Sequence, residues 1–509
     1  MCAAFAFVSL AAIDRPAGVR SVPAARRPTV AIVGAGFSGL MTAIHLLRDP
    51  HGPRVRLIER RGLFGVGVAY LPGHGDHMLN VRARNMSAFA DDPDHFRRWL
   101  DAHRDVSAGS AFVTRSRYGQ YLQELMREAI CQSSADRFLL EADGVASVRR
   151  DRQGWRIGLD MGRWFTADAV VLAIGNLPPR IPPGLDLAGA NVDGLLGTIF
   201  EPDPWAVDLS SFPAEGTVLM LGTGLTAVDV ALEIAARRPG IRMFALSRHG
   251  LLPRRHAADV EPLPIGAMTG GVSALLRAIR TLARTHDWRM VVDGIRPQVQ
   301  DIWRGWPEAD RARFLRHLRA WWNVHRHRLA PEVAARIDHL TASGQLIVRA
   351  GRMLRLDANG EGAMLHWRPR GAAESVDEPV VRIINCTGPN EHLSASADPL
   401  IASLYHGAIL RADRLRLGAD VDDGSRAIAA DGQAHDSLFA VGPLARGTFW
   451  EITSVPDIRA QAAAVAQAIL RLTDTLADQS GRSLAKADSP GRAAAGRTAP
   501  APGSARRSA

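Results

Sequence analysis

Read only for where apolar and polar residues fall, the chain alternates short apolar runs with helical stripes. Residues 29–34, Thr-Val-Ala-Ile-Val-Gly, are apolar and β-branched, the pattern of a strand buried on both faces. Leu40-Met41-Thr42-Ala43-Ile44-His45-Leu46-Leu47 follows with helical periodicity, and Arg54–Glu59 predicts a second strand. The same order recurs later: a strand at Thr217–Leu221, a helix through Ala231–Ala236 that Gly240 ends, and a strand at Ile241–Leu246. Further strands are expected at Ala169–Ile174, Val380–Ile384 and Leu438–Val441, each running into a small-residue or glycine turn. From about residue 271 to 345 the period lengthens to that of helices. These elements predict an α/β fold with two Rossmann-type dinucleotide-binding domains and a helical insertion.

The turns between strand and helix carry the first chemistry. Gly34-Ala35-Gly36-Phe37-Ser38-Gly39 joins the first strand to its helix. In such a turn Gly34 permits the sharp bend, Gly36 lets backbone approach a pyrophosphate, and Gly39 lets helix and strand pack closely. Glu59 stands 20 residues after Gly39, where a carboxylate accepts hydrogen bonds from a ribose, and Arg60 follows it. FAD is the expected occupant, enclosed by later segments that end in Gly175 and Gly442. The second fingerprint is Gly222-Thr223-Gly224-Leu225-Thr226-Ala227, with Ala227 in place of the third glycine. Ser247 and Arg248, rather than an acid, follow its second strand. Arginine there pairs with the extra phosphate of NADP, so the reading leans to NADPH while NADH stays open. Two nucleotide sites in one chain imply hydride transfer from nicotinamide to flavin.

Composition narrows the function classes. Of a net charge of +10 over 509 residues, the terminal stretches 1–28 and 479–509 carry +8. The body is close to neutral, which argues against a nucleic-acid surface. The apolar start, MCAAFAFVSLAAI, is too short to span a bilayer and lacks a basic leader, so no membrane association and a cytoplasmic location are expected. Three scattered cysteines, Cys2, Cys131 and Cys386, form neither a disulfide framework nor a metal spacing. The expected organisation is a disordered extension over 1–28, an FAD domain from 29–210 and 380–475, and an NAD(P)H unit over 211–260. A helical cap over 261–345, connecting strands over 346–379 and a disordered basic tail over 476–509 complete it.

Several segments together resemble a bacterial family of FAD/NAD(P)-binding oxidoreductases. They are Gly65-Val66-Gly67-Val68-Ala69-Tyr70, His77–Val81, Arg117–Tyr121, Gly222–Asp229, Asn385–Pro389 and Trp450–Arg459, within a likeness running from about 28 to 475. The family includes FAD-dependent urate hydroxylases and L-aspartate N-monooxygenases. The resemblance implies a flavin monooxygenase in which NAD(P)H reduces FAD, O2 adds at the flavin C4a, and the hydroperoxide passes one oxygen to a small anionic substrate. Urate 5-hydroxylation is the first expectation and N-hydroxylation of L-aspartate or another amine the alternative. A flavin reductase or a non-catalytic redox sensor stands behind both.

No catalytic or metal-binding residue is assigned. The cap holds Trp288, Trp303, Trp306, Trp321 and Trp322 beside Arg319 and His325-Arg326-His327-Arg328. Its aromatics either stack a planar substrate or fill the cap's own core, and the latter is expected. Cys386 is expected to be a small core thiol. Glu451 and Asp457 are expected to cap a helix, with a general base as the other reading.

Overall fold

The computed structural model describes residues 26–71, 77–104, 111–152, 154–182, 199–258, 260–358 and 362–487, the last stretch as backbone only after residue 476. The N-terminal extension up to residue 25 and the basic tail from residue 488 lie outside the described residues.

Strand β1 (Thr29–Val33) lies between β2 (Arg54–Ile58) and a later strand, Ala169–Leu172, both parallel to it. Its alternation feeds two cores. Val30 and Ile32 pack with helix α1 (Phe37–Leu47), while Ala31 and Val33 pack on the opposite face. After β2 come α2 (His95–Ala102), α3 (Arg115–Gln132) and β3 (Phe138–Glu141), which extends the sheet. Strands β4 (Val145–Asp151), β5 (Gly154–Leu159) and β6 (Trp164–Ala167) make a separate antiparallel meander over the second core, and β7 is the Ala169–Leu172 strand.

The chain then builds a second sheet. It contains β8 (Phe200–Glu201) and β9 (Gly216–Leu221), then α4 (Leu225–Arg237) and β10 (Ile241–Ser247). The cap helices follow: α5 (Val272–Leu282), α6 (Trp288–Ile295), α7 (Val299–Gly305), α8 (Glu308–His317) and α9 (Arg319–Arg326). Helix α10 (Pro331–Ala342) leads to β11 (Leu346–Ala358), β12 (Ala363–Pro369), β13 (Val376–Val380) and β14 (Arg382–Asn385). The sheet order is β13-β12-β11-β10-β9-β14-β8. The chain returns through α11 (Pro399–His406), β15 (Arg426–Ile428) and β16 (Ala434–Ala440), which completes the first sheet in the order β15-β16-β7-β1-β2-β3. Helix α12 (Val455–Ala487) closes the fold, with Ile458, Ala462, Val465 and Ile469 in the core that α1 occupies.

Four expected assignments change. The apolar run ending in Asn385 belongs to the second sheet, where Arg382 to Asn385 pair with Val218 to Leu221. Ile383 and Ile384 fill the two cores flanking that sheet, and an apolar run alone does not say which sheet it joins. Strands β11 to β13 are sheet rather than connection, and β8 with Leu209 and Phe212 already packs in the second domain, which therefore starts before residue 211. Helix α12 continues past residue 475, where a tail was expected. Leu476, Ala477, Leu484, Ala485 and Ala487 are good helix formers, and lengthening an existing helix needs no new nucleus.

Candidate functional site

The turn after β1 is built for close backbone approach. Gly34 has φ +98°, and a Cβ there would lie 2.4 Å from the Ala173 carbonyl oxygen. A Cβ on Gly39 would lie 1.9 Å from the Gly34 oxygen. Gly36 differs: the nearest atom to its Cβ position is Gly67 Cα at 3.5 Å. Protein therefore presses on the first and third glycines, whereas the second faces the loop around Gly67. Gly36 is also the N-cap of α1, with no side chain capping the helix, so its first N–H groups are free for phosphate oxygens. Phe37 and Ser38 are buried in that first turn. Glu59 is fixed at the rim, its Oε2 accepting from Ala35 N at 3.0 Å and its Oε1 from Arg61 N at 3.2 Å.

The chain's far end completes this cradle. Gly442, just past β16, has φ +78°, and a Cβ there would come within 2.6 Å of Ser38 Oγ. Its N–H donates to Gln461 Oε1 at 2.8 Å, a partner on α12 that no local motif announced. Gly175, past β7, has φ +70° and open space around its Cβ position. Arg60 turns to Asp398 at 2.7 Å, which also accepts from Ile401 N and so caps α11.

The second cradle repeats the first in wiring. Gly222 has φ +121°, and its Cβ would lie 2.3 Å from the Cys386 oxygen, as Gly34 meets Ala173. Gly224 caps α4 without a side-chain bond, and no atom lies within 4 Å of its Cβ position. Ala227 is buried against the strand. Gly222 N donates to Leu246 O at 2.8 Å just as Gly34 N donates to Ile58 O at 2.9 Å, so Ser247 stands where Glu59 stands in the first domain. Ser247 Oγ is 2.9 Å from Thr223 Oγ1 and accepts from Gly250 N at 3.0 Å. Beside it Arg248 is exposed, and Arg370, from the turn after β12, brings Nη1 within 2.8 Å of His249 Nδ1. Burial, then Arg370 and Arg248, depress the His249 pKa. The rim is thus cationic where the first is anionic. Arg370 is far from the fingerprint in sequence, and only the β12–β13 hairpin brings it there. Cys386 is a buried thiol whose pKa burial pushes up, as the core reading expects.

The two domains touch at both cradles. Arg115, at the start of α3, pairs with buried Asp229 of α4 at 2.7 Å. The two crossovers between domains meet where Asn390 N donates to Leu177 O and Pro178 O. Arg82 donates to Ala257 O at 2.7 Å, and His256 Nε2 lies 3.1 Å from Asn80 O.

The cap meets the first domain through a layer of ion pairs. Arg296 bonds Asp457 at 2.5 Å and Ser454 at 2.8 Å; Arg319 bonds Glu391; Arg326 Nε lies 3.1 Å from Glu451 Oε2. Trp322 Nε1 donates to Glu451 Oε1 at 2.8 Å. Each of these donors sits on the cap, and each acid on the first domain. Burial opposes ionisation of Glu451, but Arg326, His327 and the Trp322 hydrogen bond outweigh it and hold its pKa down to about 2. Glu451 thus stands as the counter-ion of Arg326 rather than as the helix cap expected from sequence. Asp457 lies in the first turn of α12, its Oδ2 also accepting from Ser454 Oγ. Trp303, Trp306 and Trp322 pack with Phe314 of the cap and with Leu417 and Trp450 of the first domain in one cluster shared across the seam, Trp303 also donating Nε1–H to Gly447 O at 2.8 Å. Trp288 stands edge-on to His325, and Trp321 is exposed. Among the described residues no helix is long and apolar enough to cross a membrane.

Known proteins match this arrangement. Residues 31–177, which hold the first cradle, match the family described as FAD-NAD(P)-binding. An L-aspartate N-monooxygenase (nitrosuccinate-forming) of Streptomyces cremeus is 27% identical over 281 residues, 47% of this chain and 41% of that protein. A Baeyer-Villiger monooxygenase of Pseudomonas aeruginosa is 25% identical over 266 residues, 50% of this chain and 46% of that one. The chain thus spans less than half the length of these curated relatives. The structure of an ornithine N-hydroxylase of Kutzneria sp. 744, with reduced FAD, NADP+ and L-ornithine, covers 88% of this chain and 99% of its own at a TM-score of 0.61 and 15% identity. The fold is shared, and the family match supports FAD and NAD(P)H as cofactors.

Proposed function

We propose that this chain is an FAD-dependent, NADPH-using monooxygenase that hydroxylates the nitrogen of a small amine or amino acid. The carrying observation is the pair of like-wired cradles, one with an acidic rim and one with a cationic rim, joined through Arg115 and Asp229. The similarity to an aspartate N-monooxygenase and to the ornithine N-hydroxylase fold supports nitrogen as the oxygenated atom. Urate, the first expectation from sequence, has no comparable support, and the alternative replaces it.

Both cradles fit their ligands. The Gly36 and Gly224 positions leave room that any side chain would narrow, at uncapped helix N-termini suited to pyrophosphate. In this reading Gly34, Gly36, Phe37, Ser38 and Gly39 hold the FAD pyrophosphate, Glu59 the adenosine ribose, Gly175 leaves space for the rest of the cofactor, and Gly442 lets the chain close over Ser38 beside it. Gly222, Gly224 and Ala227 hold the NADPH pyrophosphate, and Arg248 with Arg370 holds its 2′-phosphate. Bound together, the two cofactors supply hydride transfer and oxygen activation.

The test uses FAD-loaded protein with NADPH in air and, separately, L-aspartate, L-ornithine, L-lysine and urate. Cofactor oxidation, hydroxylamine product and hydrogen peroxide are followed together. One amine that speeds oxidation and yields hydroxylated nitrogen with little peroxide is the expected result. Consumption of urate with no amine active would overturn it.

A further inference from the structure

The chain has four tyrosines, and three of them stand in one aromatic stack. Tyr70 and Tyr118 have ring centroids 4.8 Å apart, Tyr118 and Tyr121 5.6 Å, and Tyr121 and Trp99 5.5 Å. The inner end touches the first cradle. The loop that carries Tyr70 docks there through Gly65 N, which donates to Ala35 O at 2.7 Å, and the Phe37 ring lies 6.4 Å from Tyr118. The outer end reaches solvent, because Trp99 packs 4.2 Å from the ring of His103, whose side chain is 36% exposed.

We propose that Tyr70, Tyr118, Tyr121 and Trp99 form a relay that carries oxidising equivalents from the flavin site to the surface, a protective function separate from substrate oxygenation. It rests on FAD occupying the first cradle.

Two features separate this stack from ordinary core. The first is the Tyr118 hydroxyl, fully buried with no hydrogen-bond partner among the described residues. An unsatisfied buried hydroxyl costs roughly 1–3 kcal/mol, a cost phenylalanine would avoid. The phenol therefore adds something packing does not need, and what it adds over phenylalanine is easier oxidation. The second is the proton partners further out. Tyr121 OH lies 2.8 Å from His95 Nδ1, Trp99 Nε1 donates to Glu124 Oε2 at 2.6 Å, and that oxygen is 3.2 Å from exposed His103 Nε2. Burial keeps all three phenols protonated and depresses His95, so the imidazole is free to take a proton.

The electron count closes. Oxygen reduction without substrate releases hydrogen peroxide, and ferrous ion in the medium gives it one electron, yielding hydroxide and a hydroxyl radical. That radical takes one electron from Tyr70, whose ring keeps its phenolic proton as a radical cation, and leaves as a second hydroxide. Electrons shift inward along the stack until the vacancy rests on Trp99, whose indole proton passes to Glu124. A soluble thiol at the surface then returns one electron, and Glu124 returns the proton.

The test is flash illumination of the full-length FAD-loaded protein, in which excited flavin draws an electron from its neighbours. Wild type is expected to give a long-lived tryptophanyl radical, Trp99→Phe none, and Tyr118→Phe a several-fold lower yield with thermal stability equal or higher. In parallel, holoprotein is treated with hydrogen peroxide and its oxidised residues are mapped by mass spectrometry. Oxidation should concentrate at Trp99 in wild type and move to the Phe37 and Tyr70 region in Tyr118→Phe. The same radical and the same oxidation map in wild type and both variants would overturn the relay alone. A chain that retains no FAD, read from absorbance of the same sample, would overturn the function proposed above and the relay with it.

Discussion

Single residues decide what each cradle tolerates. A Cβ on Gly39 drives into the backbone of its own turn, whereas one on Gly224 meets open space. Gly39→Ala is therefore expected to abolish FAD retention together with folding of the first domain. Gly224→Val should cost no more than about 1 kcal/mol of stability, a weak N-cap effect, yet raise the NADPH KM roughly tenfold or more by filling the pyrophosphate space. Thermal melts beside initial rates separate the two cases. Coenzyme choice belongs to this scale too. Arg248→Gln and Arg370→Gln should each lower the NADPH-to-NADH ratio of kcat/KM about tenfold, the worth of one charge-assisted contact, with NADH rates little changed. The fingerprint glycines, Glu59 and Arg248 were legible in the sequence because a turn and its flanking strands fix their neighbours locally. Arg370 and Asp398 were not, since each reaches its place through pairing across long stretches of chain.

Among elements, the cap shows how position overrides residue type. Its tryptophans were expected to fill the cap's own core rather than to stack a planar substrate. In the fold Arg296, Arg319 and Arg326 face acids of the first domain, and Trp303, Trp306 and Trp322 fill a cluster that the cap shares with Trp450 and Leu417 of the first domain. Glu451→Gln leaves Arg326 buried beside a neutral amide, and breaking such a pair costs roughly 3–5 kcal/mol. Loss of cap protection in hydrogen exchange, ahead of any change in the first sheet, is the expected signature. Strand identity was readable from apolar runs, but sheet membership was not. The run ending in Asn385 reads like a flavin-domain strand, and only its register with Val218 to Leu221 places it elsewhere.

At the level of the whole molecule, acid is expected to weaken the fold in two stages. Burial lowers the pKa of His45, His256 and His327 from 6.5 to about 4. The unfolded chain then binds more protons than the folded one below pH 6.5, so stability falls from there to about pH 4. Glu451, held near 2, adds stability above its ordinary 4.5 that is lost as pH drops from 4.5 towards 2. Urea midpoints measured across that range, with Glu451→Gln as the comparison, should show a smaller second stage in the variant, since Glu391, held down by Arg319 and Arg446, still contributes there.

The first sheet is assembled from both ends of the chain, with β1 near the start and β16 from residues 434–440. During synthesis the second sheet, complete once β14 at Arg382–Asn385 has emerged, is free to form while the first still lacks β16 and its closing helix. The apolar side of α1 has to wait, sticky and uncovered, until α12 at Val455–Ala487 has emerged. Messages cut short before that point would leave the second sheet and its cradle formed but the first cradle without Gly442 and α12, and a chaperone's hold on the nascent chain should release only after α12 appears.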